Sequence, residues 1–184
     1  MKISLQQTLP AIEIKSKGEI QLISGKLRYA PWHSDALYSK VRTIIHTAGS
    51  EDALNLNQPL LDALQAQHFD AYQYQTTVIV NLKDASWGTG AIMCNHMEQT
   101  KRDDPASSFV LDEKGVAVKA WGLARDSSAV ILLDEYGEVM YGKDGVLCKE
   151  EINQMIELLR HRISANSPLF PAVGKYMSGY AAFG

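Results

Sequence analysis

The stretch VRTIIHT at residues 41–47 decides the fold, together with YQTTVIVNL at residues 74–82. Both stretches are largely apolar and rich in β-branched residues, which is typical of buried central strands. Between them, Ser50 is placed to cap a helix that begins at Glu51 and continues as an apolar stripe of leucines. Pro59 lies inside this stripe, so we expect it to kink or split the helix. A strand, a helix and a strand at this spacing predict a βαβ unit with parallel strands.

The remaining segments up to residue 142 predict one more helix and three hairpins. Glycine-containing turns at residues 17–18 and 24–25 predict short N-terminal strands that form a hairpin. Residues 91–102 predict a helix. The segments SSFVLDEKGVAVKAWG (107–122) and SSAVILLDEYGEVMYG (127–142) each contain an apolar strand followed by an Asp-Glu-x-Gly turn. Each segment is therefore predicted to be a β-hairpin, with a glycine at the left-handed position of its turn.

The C-terminal part of the sequence divides into a helix and an aromatic tail. Residues 149–165 show the clearest helical periodicity, and Cys148 and Glu151 have the spacing of a capping box in which sulfur replaces oxygen. The tail, residues 166–184, carries aromatic side chains among small residues: Phe170, Tyr176, Tyr180 and Phe183. This tail is too apolar for a solvated disordered segment, so we expect it to pack on the domain. The alternative is an arm that binds a partner or mediates self-association.

The order of these elements predicts the fold class. One βαβ half and one ββα half, joined through a helix, make the core of an α/β thioredoxin-like fold. The N-terminal strands and a hairpin around residues 109–118 are expected as additions to this core. We expect one such domain over residues 1–165, followed by the tail.

Four stretches give the chain a specific resemblance to a known family: KVRTIIHTAG, YQTTVIVN, SSAVILLDEYGEVMYGKDG and EEINQMIELL. Across residues 8–162 the sequence resembles the YtfJ family of small thioredoxin-like bacterial proteins. The resemblance implies a thioredoxin-like fold and a periplasmic location, and it brings no established activity. The N-terminal MKISLQQTLPAIEI has no visible signal peptide, which departs from the family pattern and leaves the cytoplasm as the alternative.

The residues that perform redox chemistry in this fold are missing from the sequence. A redox-active member places its nucleophilic cysteine at the start of the helix after the first core strand, where the helix N-terminus stabilises the thiolate. Here that position is Thr47-Ala48-Gly49-Ser50-Glu51, without cysteine. The cis-proline that precedes the hairpin strand in such proteins is also missing, since residues 126–129 read Asp-Ser-Ser-Ala. The chain is therefore not expected to act as a dithiol oxidoreductase.

A different use of the same edge of the sheet remains open. The loops at the carboxyl ends of the parallel strands converge with the loops that enter and leave the hairpin. They are expected to form a groove for a small ligand or a peptide, with these lining residues: Thr47, Gly49, Ser50, Trp87, Ser127, Ser128 and Gly145. A glycine and a serine before a helix start suit a small anion or a carboxylate. The structural alternative is that Ser50 is only a cap, Gly49 only a turn and Trp87 only packing.

The cysteines and histidines give weaker signals. Cys148 lies at the predicted start of the last helix, on the same edge as the groove, so a redox role for this single cysteine is the main catalytic alternative. A disulfide between Cys94 and Cys148 is left open by the sequence. His46 ends a core strand and is expected to be a buried structural histidine. Cys94, His96 and Glu98 do not share one helix face, so no metal site is expected.

Composition excludes several classes of function. The 184 residues carry a formal net charge of −3, without a basic cluster, so a nucleic-acid partner is not expected. No apolar run reaches the roughly 20 residues of a membrane span, and no cofactor motif is present. From the missing dithiol and proline we expect a non-catalytic binding or interaction module whose partner is a protein or a small ligand, and the family resemblance implies that it belongs to the bacterial envelope. The alternative is a thiol redox or peroxide enzyme that uses Cys148 alone.

Overall fold

The computed structural model describes residues 2–85, 88–125 and 127–166. The strands are β1 (Glu13–Ile23), β2 (Lys26–His33), β3 (Val41–Ala48), β4 (Tyr74–Asn81), β5 (Ser108–Asp112), β6 (Ser128–Leu133) and β7 (Val139–Asp144). The helices are α1 (Glu51–Asn55), α2 (Gln58–Gln65), α3 (Thr89–Asp103), α4 (Val116–Trp121) and α5 (Lys149–Asn166). Short 3-10 turns lie at Ser34–Leu37 and Leu82–Asp84. Within the described residues the strands form one mixed sheet in the order β2-β1-β5-β4-β3-β6-β7.

Strand β3 occupies the interior of this sheet. All eight of its residues are buried, as the β-branched apolar sequence predicts. It pairs in parallel with β4, from Val41 opposite Tyr74 to Ala48 opposite Asn81, and antiparallel with β6. The predicted parallel pair is therefore confirmed, and so is the hairpin of β6 and β7.

The crossover from β3 to β4 is split into two helices. Ser50 caps α1, and its hydroxyl accepts a hydrogen bond from the Ala53 N–H at 3.3 Å. Pro59 lies in the first turn of α2, where its missing N–H costs no intrahelical bond. The predicted break is thus confirmed, and it leaves α1 with only five residues.

The N-terminal hairpin is confirmed, but one of its predicted turns is wrong. Ser24 and Gly25, both at positive φ, connect β1 to β2. Lys17 and Gly18 do not end a strand. They form a bulge inside β1, where the register shifts between Ile14 and Glu19. A Cβ on Gly18 would lie 2.1 Å from the Ala30 carbonyl oxygen, so the bulge requires glycine.

The predicted hairpin around residues 109–118 is wrong in its second strand. Strand β5 is followed by helix α4, not by a returning strand. The Asp112 carboxylate accepts hydrogen bonds from the Lys114 N–H at 3.2 Å and the Ala117 N–H at 2.9 Å, which holds the start of the helix. Ala117 and Trp121 then face the core one helical turn apart, both fully buried. The real insertion is α3 with β5, which adds a second parallel crossover beside β4.

Helices cover both faces of the sheet. On one face, α2 and α5 pack on Val41, Ile45 and Val130. Helix α3 covers the neighbouring part of that face through Met93 and Met97. On the opposite face, α4 and the N-terminal segment pack on Ile44, Ile79 and Val110, among others. The thioredoxin-like fold predicted from the element order is confirmed, whereas the packing of the tail lies outside the described residues.

Helix α5 begins with an ion pair joined to a backbone cap. The Glu151 carboxylate accepts a hydrogen bond from the Cys148 N–H at 2.7 Å, as the predicted capping box requires. It also accepts from the Lys143 ammonium at 2.5 Å. The bond from Lys143, followed by the Cys148 N–H, holds the pKa of Glu151 below its ordinary value of 4.5.

We predict that Glu151 contributes a pH-dependent part of the stability. Because the folded protein lowers this pKa, the contribution is present above the unfolded value and is lost as pH falls through the folded value. Urea denaturation of Glu151→Gln at neutral pH and below the ordinary Glu pKa should therefore show a smaller loss of stability on acidification than in the wild type. The control is Glu150→Gln, one residue earlier in the same helical turn. Equal pH dependence in the Glu151 variant and the wild type would contradict the prediction.

Candidate functional site

The carboxyl edge of the sheet brings together six of the seven predicted groove residues. Thr47 pairs with Ser128 in the β3–β6 register. The Ala48 N–H donates to the Ser127 carbonyl at 3.2 Å, and the Gly145 N–H donates to the Ser128 carbonyl at 2.6 Å. Gly49 and Ser50 follow β3 directly. Trp87, the seventh residue, lies outside the described residues.

Burial divides these residues into two groups. Thr47 and Ser128 are 0% and 1% exposed, and Gly49 is also buried. Ser50 is exposed, while Ser127 and Gly145 are partly exposed. The residues of the first group therefore lie in the interior of the edge, and only those of the second group are accessible to a ligand or partner.

Asn57 hydrogen-bonds to this edge from the helical crossover, and sequence analysis did not identify it. Its side-chain amide donates to the Ser128 hydroxyl, which in turn donates to the His46 carbonyl at 3.1 Å. Asn57 lies between α1 and α2 and is buried. The signal in the sequence was its place two residues before Pro59. The network connects the helical crossover to the start of β6.

Ser50 lies in the segment 47–51, where the nucleophilic cysteine of a redox-active member of the fold is expected from the sequence. Its hydroxyl is used as the cap of α1. The five residues of α1 provide a much smaller helix dipole than a long helix would. Gly49 is fixed by packing, because a Cβ there would lie 2.8 Å from the Asn81 carbonyl oxygen.

Two exposed apolar side chains flank this edge. Leu56 is 46% exposed and precedes Asn57, whereas Val146 is 41% exposed and follows Gly145. Asn57 and Gly145 both hydrogen-bond to Ser128, so their chain neighbours Leu56 and Val146 both lie near the start of β6. We call the set Ser50, Leu56, Ser127, Gly145 and Val146 the carboxyl-edge surface.

The two cysteines are free and differ in exposure. Cys94 is buried in α3, while Cys148 is exposed before α5, so the disulfide that the sequence left open is not formed. His46 is 1% exposed, in agreement with a core position. Among the residues that the structure describes, no three His, Cys, Asp or Glu side chains are grouped to hold a metal ion. None of the described helices combines the length and apolarity needed to cross a bilayer.

A separate cleft, which sequence analysis did not predict, lies between α3 and the β1–β2 hairpin. Its volume is about 700 Å³, and its walls include Lys17, Tyr29, Leu82, Cys94, Glu98 and Glu113. The cleft depends on the bulge in β1, and the sequence signal for that bulge, Lys17-Gly18, resembles an ordinary turn. We call it the α3 cleft.

A family model described as a bacterial protein of unknown function (YtfJ_HI0045) matches residues 3–162. The chain belongs to this family. An uncharacterized protein of Haemophilus influenzae is 39% identical over 157 residues, which is 85% of each chain. The uncharacterized protein YtfJ of Escherichia coli is 40% identical over 154 residues, 84% of each chain. The resemblance stated from the sequence is thus confirmed.

Solved structures with a similar backbone include thiol-dependent proteins. A putative thiol:disulfide interchange protein DsbE from Chlorobium tepidum superposes with a TM-score of 0.59 at 12% identity, covering 88% of this chain and 99% of that one. A thiol peroxidase from Chromobacterium violaceum gives 0.57 at 14% identity, covering 86% and 87%. At such low identity the likeness establishes the fold alone.

We predict that Gly49→Ala destabilises the protein. The added methyl group meets the Asn81 carbonyl, a backbone atom, so the loop must shift at a cost of about 1–3 kcal/mol in the free energy of unfolding. The matched control is Gly90→Ala in α3, where a Cβ meets no atom within 4 Å. That variant should gain up to about 1 kcal/mol from helix propensity. Urea denaturation checks both, and an unchanged Gly49→Ala would show that the approach to Asn81 does not constrain this position.

Proposed function

We propose that this protein is a non-catalytic binding module of the bacterial periplasm that engages a partner protein through the carboxyl-edge surface. The observation that carries the proposal is that the segment 47–51, where a nucleophilic cysteine is expected, contains no cysteine and uses its Ser50 hydroxyl as a helix cap. The periplasmic location rests on the resemblance to the family. The fold is thus retained while the side chain required for thiol exchange at this position is replaced.

The solvent-exposed residues of the edge favour a protein partner over a small ligand. Thr47 and Ser128 would form the floor of a ligand groove, but both are buried, and the Asn57 side chain hydrogen-bonds to Ser128. What reaches solvent is apolar surface from Leu56 and Val146 beside the small polar residues Ser50 and Ser127. Apolar side chains rimmed by polar groups are typical of protein interaction sites.

Site-specific crosslinking in the native bacterium tests the proposed surface. A photoreactive amino acid in place of Val146 should give a discrete adduct in the periplasmic fraction. Adding Leu56→Asp should abolish this adduct, because it places a charge where the partner buries apolar surface. The control position is Tyr72, which is 86% exposed and precedes β4 at the opposite edge of the sheet. Equal adducts from both positions, or an adduct that survives Leu56→Asp, would argue against a partner at this surface.

One observation favours a second candidate function, a peroxide-reducing enzyme with a single cysteine. Cys148 is exposed and lies within electrostatic range of Lys143. In this reaction the Cys148 thiolate attacks a peroxide oxygen and the O–O bond breaks. Sulfur is oxidised to a sulfenic acid, and the peroxide leaves as an alcohol or water after taking up a proton. A second thiol compound must then reduce the sulfenic acid through a mixed disulfide.

Thiol kinetics separate the two functions. A binding module predicts that Cys148 is alkylated no faster than a model thiol, and that wild type and Cys148→Ser consume hydrogen peroxide at the same rate in the presence of a thiol reductant. Mass spectrometry after timed alkylation measures the first, and a peroxide assay measures the second. Rapid alkylation of Cys148 together with peroxide turnover lost in Cys148→Ser would replace the binding module with the enzyme. Cys94→Ser serves as the control variant because Cys94 is buried.

A further inference from the structure

The α3 cleft has the dimensions of a small-molecule site. Its volume of about 700 Å³ falls within the roughly 300–1,000 Å³ that is usual for ligand pockets. It lies beside β1, three strand positions from β3 in the sheet order, and it reaches Leu82, whose Cα would lie 3.3 Å from a Cβ on Gly49. The cleft therefore adjoins the loop after β3, but none of the described residues that line it belongs to the carboxyl-edge surface.

An aromatic wall is held in place on one side of the cleft. The bulge in β1 positions the Lys17 ammonium 4.9 Å from the centroid of the Tyr29 ring. The Tyr29 hydroxyl donates to the Glu98 carboxylate on α3 at 2.5 Å. Burial and the nearby Glu98 raise the pKa of Tyr29, so the phenol keeps its proton and remains a donor. The ring is thereby fixed by contacts at its face and at its hydroxyl.

The polar groups of the cleft carry an excess of negative charge. Glu98 accepts from Tyr29, and Glu113 accepts from the Ser16 hydroxyl, so both carboxylates are bound to neutral donors. Within the described part of the chain, neither carboxylate forms an ion pair with a basic side chain. Lys17 is the basic residue among the lining side chains. One positive and two negative side chains give the lining of the cleft a formal net charge of −1.

The cleft also has apolar lining residues. Leu82, Ala91 and the Cys94 side chain line it. A ligand that occupies this space would place an apolar group against these side chains and the Tyr29 ring, and a charged donor against the carboxylates. Charge-assisted hydrogen bonds from an ammonium group to carboxylates are stronger than those between neutral groups.

We propose that the α3 cleft binds a small organic amine, whose ammonium group pairs with Glu98 and Glu113 and whose apolar part packs on Tyr29, Leu82 and Ala91. This site goes beyond the proposed function and does not depend on it.

The test uses three probes of the same shape and different charge: 2-phenylethylamine, 2-phenylethanol and phenylacetate. Calorimetry should show binding of the amine alone. Equal binding of amine and alcohol, or no binding of the amine, would overturn the proposal.

Two variants probe the charge and the space separately. Glu98→Gln keeps an acceptor for Tyr29 but removes the negative charge, and should weaken amine binding by about tenfold. Gly90→Leu places an apolar side chain on a residue that lines the cleft, at a position with open space, and should abolish binding. Gly90→Ala, which gives a similar gain in helix propensity, should bind like the wild type.

The outcomes for the two Gly90 variants decide whether the cleft itself is the site. Both replace a helical glycine, so a folding defect is not expected in either, and circular dichroism checks this. Amine binding that survives both Glu98→Gln and Gly90→Leu would place the amine elsewhere and overturn the proposal. A failure here leaves the Val146 crosslink untouched, since that experiment reports on a different surface.

Discussion

Strand β3 is buried on both faces and paired on both edges, and the arrangement of the candidate site depends on this constraint. Parallel pairing with β4 sends both strands toward one edge of the sheet, while antiparallel pairing with β6 starts the hairpin at that same edge. The loops that follow Ala48 and precede Ser128 must therefore meet. Their meeting is a consequence of sheet pairing, whatever side chains the loops carry.

The side chains at this meeting point have taken on structural roles. In a thiol enzyme of this fold, unpaired N–H groups and a helix dipole stabilise a thiolate. Here the Ser50 hydroxyl accepts from one of these N–H groups, and α1 ends after five residues. Asn57 then connects the crossover to Ser128 and the His46 carbonyl. The polar groups at the edge bond to each other, which leaves Leu56 and Val146 as its accessible apolar features.

The fold could be predicted where local sequence and tertiary packing agree. The buried parallel strands, the cap at Ser50, the break before Pro59 and the last helix all follow from short-range patterns. The two Asp-Glu-x-Gly segments show the limit. Asp134 accepts from the N–H groups of Tyr136 and Glu138 and closes a hairpin turn. Asp112 makes the same first bond, to Lys114, but its second bond, to Ala117, starts a helix.

The difference between these two segments arises beyond the turn. Ala117 and Trp121 are spaced to bury one helix face, and the Trp121 indole N–H donates to the Pro10 carbonyl at 2.9 Å. Pro10 is far away in sequence, so no local window contains the contact that stabilises α4.

The candidate sites follow the same division between local and long-range determinants. The convergence of residues at the carboxyl edge could be predicted because it requires only strand order and direction. The hydrogen bond from Asn57 to Ser128 could not be predicted, because it depends on how the two helices of the crossover pack near the start of β6. The α3 cleft depends even less on local sequence patterns. Its wall needs the bulge at Gly18, the pairing of Tyr29 in β2 and the docking of Glu98 on α3, three elements that are brought together only by the completed sheet. The polar groups of the carboxyl edge are thus used in structural hydrogen bonds, whereas the α3 cleft is a concave surface between α3 and the β1–β2 hairpin.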